Sequence, residues 1–385
     1  MPRDSFLDDH AEAVLTIDLD AIVANYRLIA ARLAPGCKPG AVVKADAYGL
    51  GFRQVAPVLA ANGCEKFFVA DLWEGISLRE CLSDIDSDGE IFVFNGPPAN
   101  RAGKITPESL AAFSDLHLIP VLNTPQQVKA WKDHQGAGKN RPAAVHIDTG
   151  MTRLGLESEK VISMAKEGLF QGLDIDYLFS HLACADDPDN SMNKEQLEAF
   201  SSARSFLGNP PASLANSSGV FLGEKYHFDL VRVGGALYGM NPLPGKENPM
   251  APVVSLSARI LQIHDIDSPR AVGYGATSKI VRPGKIATIA VGYADGYMRS
   301  LSNRGQAFIE GFQVPVIGRV SMDYITLDVS DLAPGTLRPD TVVELIGPNY
   351  DIDALAKKAG TLAYEVLTGL GNRYRRVYTG GDSAP

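Results

Sequence analysis

The sequence predicts an α/β protein in two parts, a (β/α)8 TIM-type barrel followed by a mostly antiparallel β domain. Three observations carry that expectation. Eight apolar, β-branched runs recur across roughly the first 240 residues, with segments of helical period between several of them. These runs are continuously apolar, as strands of a parallel sheet covered on both faces must be. From about residue 251 the runs are instead separated by Gly, Pro, Asn and Asp, the punctuation of antiparallel hairpins.

Taken in order, the run 13–22 precedes the first barrel unit and is expected to pair with the second domain, tying the two together. The expected division is therefore an N-terminal segment 1–22, a barrel over 23–250 and a β domain over 251–385. Barrel strands are expected at 41–46, 66–71, 90–96, 116–123, 143–150, 175–183, 211–219 and 229–236. Helices are expected at 124–134, with Thr124 as N-cap and Pro125 in the first turn, at 156–170 and at 192–207. Eight such units fit a closed barrel. An open doubly wound sheet is the alternative, but no G-x-G-x-x-G follows the first strand. In the second domain, strands are expected within 255–263, 285–293, 314–320, 324–329 and 341–347, and only 351–359 reads as helical.

Composition narrows the classes of function. The 385 residues exceed one ordinary core. Acidic residues outnumber basic ones, 45 to 36, and the net charge of −9 argues against nucleic acid or an anionic membrane as partner. No stretch has the length of a membrane span, and the first ten residues hold no apolar signal segment. Cys37, Cys64, Cys81 and Cys184 are scattered, without zinc spacing, and read as reduced thiols of a cytoplasmic protein with no metal site.

Candidate site residues follow from the barrel. Working groups of a (β/α)8 barrel sit where its strands end. Lys44 closes the first run and precedes Ala-Asp-Ala-Tyr-Gly-Leu-Gly. An amine held in an apolar site loses proton affinity and can form a Schiff base with an aldehyde. Arg153 follows the fifth run, His181 lies in the sixth, Asn216 and Ser217 end the seventh, and Arg232, Gly234 and Gly235 end the eighth. Taken singly, a strand-end lysine snorkels to water, a lone arginine is a solvated charge and Asn-Ser-Ser-Gly is a turn. Their coincidence on one rim favours a site. Gly234 and Gly235 let backbone N–H groups approach an anion, and a helix start there would add its dipole. Ser217 and Tyr48 can add hydroxyls. A Schiff-base lysine beside a phosphate cradle points to pyridoxal 5′-phosphate.

The motifs AVVKADAYGLG (41–51), DTGMTRLG (148–155), SHLACAD (180–186), ANSSG (215–219), VRVGGALYG (231–239), GYGAT (273–277), GYADGY (292–297), GRVSMD (318–323) and YEVLT (364–368) stand in one order along the chain. In that order the sequence resembles the alanine racemases, pyridoxal-phosphate enzymes that pair a (β/α)8 barrel with a C-terminal β domain. The resemblance runs from about Leu15 to Tyr378. It implies interconversion of L- and D-alanine, which supplies D-alanine for peptidoglycan, with Lys44 as cofactor anchor and one catalytic base. The second base would be Tyr274 of the other subunit, in a head-to-tail homodimer with shared active sites. By the same resemblance, His181 and Arg232 link that tyrosine to the pyridine nitrogen. Arg153 would face the cofactor's phenolic oxygen and the substrate carboxylate. Tyr364 would border the phosphate, Met322 would meet the substrate carboxylate through its backbone, and Tyr293 would line the entrance. An arginine can only donate a hydrogen bond, so the pyridine nitrogen beside Arg232 is expected to stay unprotonated. Alternatives within enzymes are a broader racemase acting on serine or lysine, or a basic amino-acid decarboxylase on the same fold. A catalytically silent cofactor carrier is the alternative of another class, and the appended β domain argues against it.

One position departs from the resemblance. Many of these enzymes carry a carbamylated lysine two residues before the Asp of DTGM, where this chain has His146. An imidazole carries no carbamate, so bicarbonate should not stimulate racemisation. Assays with and without added bicarbonate check this, and stimulation would refute it.

Overall fold

The protein is described by a computed structural model covering residues 10–135, 141–338 and 341–381. Residues 1–9 of the expected leaderless N-terminus lie outside the described residues. Eight parallel strands form the first sheet: Lys38–Val42, Lys66–Val69, Glu90–Val93, Leu118–Leu122, Ala143–Asp148, Ile175–Phe179, Ala212–Ser213 and Leu230–Val233. Each pairs with the next as far as the seventh, and the eighth returns to the first with Leu230 opposite Lys38. No ladder joins the seventh and eighth strands. Two backbone bonds close that gap, Asp229 N–H to Ala212 and Arg232 N–H to Ala215, both 3.0 Å. The result is a near-barrel.

Aromatic rings plug its interior. Phe68 of the second strand lies 5.0 Å from Phe92 of the third and 5.8 Å from Phe179 of the sixth, centre to centre. Contact between non-adjacent strands means that the rings meet across the barrel axis. Phe94 stacks on Phe68 at 5.5 Å and extends the plug toward the C-terminal ends of the strands. This plug is the floor of the site described below.

Helices Leu19–Ala30, Phe52–Ala61, Leu72–Ser83, Pro107–Asp115, Pro125–Gln135, Ser158–Lys166 and Ser191–Phe206 cover the outside. Thr124 Oγ1 accepts from Gln127 N–H at 3.2 Å, a side-chain N-cap. The helix expected over 156–170 is shorter than its pattern. Leu156–Glu157 pairs instead with the fifth strand, and Gly168, at φ +79°, follows the end of the helix. After the seventh strand only 3₁₀ turns follow, Gly219–Leu222 and Glu224–Tyr226.

The second sheet is built around Val254–Ile266, which pairs antiparallel with Gly284–Ile289 and Val342–Ile346. Ala13–Asp18 joins this sheet, antiparallel to Val254–Ile266 (Leu15 opposite Leu256) and parallel to Arg375–Thr379. Beyond these lie Gln306–Ile309, Phe312–Pro315 and Ile325–Asp328. The run 314–320 pairs only at its start, because Gly318 turns the chain at φ +80°. Two helices stand here, Ile352–Ala359 and Ala363–Gly369, where the sequence suggested one. The second is seven residues long, lacks a side-chain cap and carries β-branched Val366 and Thr368, so its pattern reads weakly as helix.

Asn25, on the helix after Ala13–Asp18, joins the two parts. Its amide donates to Leu237 O (3.2 Å) and Ala251 O (2.9 Å) and accepts from Ala251 N–H (2.7 Å), all with the side chain buried. Asn25→Ala strips the partners from these three backbone groups and should cost at least about 3 kcal/mol, at the low end of 1–3 kcal/mol per buried unsatisfied group. Urea unfolding of the two proteins measures the loss.

Candidate active site

The first strand ends at Val42, so Lys44 stands two residues beyond it and not within it. The chain then makes a left-handed turn, with Ala45, Asp46, Ala47 and Tyr48 at φ between +52° and +57°. The left-handed form costs roughly 1–2 kcal/mol per L-residue, so other contacts must hold this turn. Several do. Glu74 accepts from Ala45 N–H at 2.6 Å, and Asp46 accepts from Phe52 N–H at 2.9 Å. From the last strand of the second sheet, Arg376 donates to Gly49 O (2.6 Å) and Tyr378 to Leu50 O (2.9 Å). The turn brings Lys44 and Tyr48 onto one cavity.

That cavity, of about 670 Å³, is bordered by Lys44, Tyr48, Arg153, His181, Asn216, Ser217, Arg232, Gly234, Gly235 and Tyr364. An inner lobe of about 270 Å³ shares Phe94 with it and adds His146 and Phe179, at the top of the aromatic plug. His181 and Asn216 lie past the ends of the sixth and seventh strands, in the loops, where the sequence had extended the strands.

Arg232 is buried under the cavity. Its Nη1 donates to Ser213 O (2.8 Å) and Oγ (2.6 Å), its Nη2 to Ser180 O (2.5 Å), and its guanidinium lies 5.1 Å from the centre of the Phe179 ring. Burial lowers its proton affinity to about 9, which leaves it cationic at neutral pH. Nη2 also lies 3.3 Å from His181 Nδ1. A guanidinium only donates, so Nδ1 accepts and the proton of His181 sits on Nε2. His146 carries the opposite tautomer. Asn123 spends both amide hydrogens on Phe94 O and Val121 O, so its Oδ1 accepts from His146 Nδ1 at 2.8 Å. Nε2 of His146 is left as an acceptor. Burial, with Arg232 adding repulsion, lowers His146 to about 3 and holds His181 well below its ordinary value.

Lys44 is shifted down as well, first by burial and then by Arg153, with Glu74 opposing. Its amine lies 5.8 Å from the centre of the Phe94 ring. Arg153 itself is exposed and makes no hydrogen bond or ion pair among the described residues. Its loop is folded by Asp148, which accepts from Gly150 and Thr152 N–H at 2.9 and 3.1 Å.

At the opposite end, Ser217 Oγ accepts from Gly234 N–H (3.0 Å) and Ala236 N–H (3.2 Å). The expected helix start is a single 3₁₀ turn, Gly235–Tyr238, too short to supply much dipole. The glycines serve another purpose. A β-carbon at Gly234 would collide with the Tyr48 hydroxyl, and one at Gly235 would lie 2.5 Å from that of Tyr364. Two phenols therefore reach over the glycine pair, and neither has a protein acceptor among the described residues. Asn216 Oδ1 is turned to Gly219 N–H (2.9 Å), so it shapes the loop.

Tyr274, Tyr293 and Met322 do not border this cavity. Tyr274 stands on the turn of a separate two-stranded sheet, Arg270–Val272 with Ser278–Ile280, and Tyr293 and Met322 on loops of the second sheet; they are 72%, 43% and 53% exposed. Tyr293 N–H and Ala294 N–H donate to Ser321 O and Met322 O, both at 3.0 Å, which joins two of these loops. Among the described residues no cluster of His, Cys, Asp or Glu could hold a metal ion. Sequence reasoning missed Glu74, Asn123, Ser180 and Ser213. The Asp71–Glu74 spacing does signal a helix start, but nothing local shows that Glu74 reaches another strand.

Fold and site together define a barrel enzyme with a half-buried lysine amine, lowered in proton affinity, on the same cavity as a glycine pair and two phenols. Family models bear on the same point: the alanine racemase N-terminal domain matches residues 17–242 and the C-terminal domain residues 253–378. The chain is 46% identical to the alanine racemase of Rhodospirillum rubrum over 97% of both chains. It is 47% identical to the catabolic alanine racemase of Mesorhizobium japonicum, over 96% of this chain and 94% of that one. Among solved structures it resembles the alanine racemase of Bartonella henselae, which has covalently bound pyridoxal phosphate. The TM-score is 0.89 and the identity 39%, over 96% of this chain and all of that one. The chain belongs to the alanine racemase family.

The neutral histidines give a pH prediction. Unfolded, His146 titrates near 6.5, while in the fold it stays neutral down to about 3. Unfolding below pH 6.5 therefore takes up a proton, so its contribution is whole above that value and is lost as pH falls. From pH 6.5 to 5.5 the loss should be about 1 kcal/mol for this residue. Urea midpoints at pH 7.5 and 5.5 should differ less in His146→Gln than in the wild type.

Proposed function

We propose that this chain carries pyridoxal 5′-phosphate on Lys44 and racemises alanine as a homodimer whose subunits share their active sites. The observation that carries the reading is the Lys44 amine, lowered in proton affinity, on the same cavity as two unpaired phenols over a glycine pair. The donor set suits the group. Tyr48, Tyr364 and Ser217 offer hydroxyls to a phosphate beside Gly234 and Gly235, with Asn216 shaping that loop. Arg232 offers its remaining N–H at the cavity floor, and Arg153 is free to meet an anionic oxygen. When bound there, pyridoxal phosphate supplies the electron sink that acidifies the Cα–H of an attached amino acid.

The chain's own residues do the rest. Racemisation needs one acid/base on each face of Cα. Lys44 serves one face, and burial leaves more of its amine free of a proton at neutral pH. Tyr274 does not border the cavity of its own chain and is exposed on the turn of the two-stranded sheet. Tyr274 of the partner subunit serves the other face. A phenol ordinarily titrates near ~10, so it needs help to act as a base. His181, with its proton on Nε2 and a cationic Arg232 behind it, can donate to the phenolate and favour it. The exposed Tyr274, Tyr293, Met322 and Tyr324 form the kind of surface a second copy covers. There the backbone of Met322 would meet the substrate carboxylate, and Tyr293 would narrow the entrance.

The enantiomers have equal free energy, so removal of one of them sets the net direction. Withdrawal of D-alanine into peptidoglycan would draw the reaction one way. A cytoplasmic placement belongs to the same proposal and agrees with four free cysteines; among the described residues no helix is long and apolar enough to cross a membrane.

Purified protein should absorb in the visible, and borohydride should fix the cofactor on the peptide containing Lys44. Lys44→Ala and Tyr274→Phe should each lose about 10²–10⁴-fold in turnover of alanine, assayed beside serine and lysine. Mixing the two inactive variants and letting subunits exchange should restore roughly a quarter of wild-type activity, because half the dimers are mixed and each has one complete site. No recovery after proven exchange would sink the shared site.

A further inference from the structure

We propose that Glu74 is a positioning residue for Lys44, holding the peptide that follows the lysine and setting a negative charge against its amine. This rests on the reading of Lys44 as cofactor anchor.

The geometry begins at the helix Leu72–Ser83, capped by Asp71, whose carboxylate accepts from Glu74 N–H at 3.0 Å. An N3 glutamate in a capping box normally reaches back to its own N-cap. Here the side chain goes elsewhere. Oε2 accepts from Ala70 N–H at 2.7 Å, just past the second strand, and Oε1 crosses to Ala45 N–H at 2.6 Å, just past the first. One carboxylate thus staples the ends of two neighbouring strands. The second bond fixes the plane of the peptide between Lys44 and Ala45, where the backbone enters its left-handed turn. That plane sets the direction in which the Lys44 side chain leaves the barrel rim.

Charge adds to geometry. The groups facing the Lys44 cavity are Arg153 from the loop after the fifth strand, Arg232 from the eighth strand, the neutral His146 and His181, Tyr48 from the turn, and Tyr364 with Glu365 from the second domain. Asp46 is turned away to the Phe52 amide, and Asp71 to its helix. Burial and Arg153 push protons off the amine, and Glu74 opposes them. A carboxylate suits both tasks. It accepts from two N–H groups at once, whereas a glutamine would present its own amide hydrogens to one of them.

The test uses full-length protein freed of cofactor, labelled with trace acetic anhydride across a pH series. Acetylation of Lys44 is read by mass spectrometry, and exchange of the Ala45 and Ala70 amides by hydrogen–deuterium exchange. In Glu74→Gln the labelling midpoint should fall by about 0.5–1 pH unit as the opposing charge is lost. Exchange at both amides should quicken. Glu74→Asp keeps the charge with a shorter reach and should hold the midpoint near wild type while exchange still quickens. An unchanged midpoint in Glu74→Gln overturns the proposal, as does an equal fall in Glu74→Asp; either would leave Glu74 a structural staple. If Glu74→Gln fails to fold, the aspartate variant decides through its amides, and wild-type exchange rates at both positions sink the idea. Peptide mapping of the borohydride-fixed wild type tests the Lys44 anchor separately, so the two readings can fail independently.

Discussion

Everything in the site depends on how one amine is aimed. Burial by itself lowers the proton affinity of Lys44, but a four-carbon side chain on a free loop could point anywhere. The left-handed turn at Ala45–Tyr48 settles the direction, and it is a conformation that L-residues resist. It survives because contacts from three quarters over-determine it: Glu74 from the neighbouring barrel unit, Asp46 from within, and Arg376 and Tyr378 from the second sheet. The second domain therefore helps to build the barrel's site in its own chain, apart from anything it offers a partner.

The electrostatics of the cavity follow from that placement. A cationic Arg232 lies on the aromatic plug, and Arg153 opens on the same space, so any further protonation there is resisted. The two histidines answer by staying neutral, and their partners assign opposite tautomers. Asn123, fixed by two carbonyls, gives His146 a proton on Nδ1; Arg232, able only to donate, gives His181 one on Nε2. The cavity thus offers an acceptor from one imidazole and a donor from the other. The free lone pair of His146 Nε2 is the acceptor that this imidazole presents to the cavity.

The glycine end of the cavity works on a different principle: Gly234 and Ala236 N–H are spent on Ser217 Oγ, so the groups left open are hydroxyls, and the glycine pair is required because two phenols stand where β-carbons would be. Sequence reasoning assigned those glycines to close approach of an anion, and the structure adds close approach of Tyr48 and Tyr364. The helix dipole invoked with them contributes little, since only a four-residue 3₁₀ turn follows.

Periodicity and motif order by themselves determined the eight barrel strands, the β character of the second part, the family, and ten of the residues that border the cavity. Those features are local, or are written in short fixed spacings, so a linear reading reaches them. The same reading placed Lys44 within a strand and found one helix near the C-terminus where there are two. Each error lies where tertiary contacts override local preference: a turn held by groups far away in sequence, and a weak helix stabilised by packing. Only the tertiary structure decided that Glu74 crosses to Ala45, that Asn123 sets the tautomer of His146, and that Asn25 joins the two parts. Such bonds are long-range in three dimensions, and no pattern along the chain encodes which distant backbone group a polar side chain will meet.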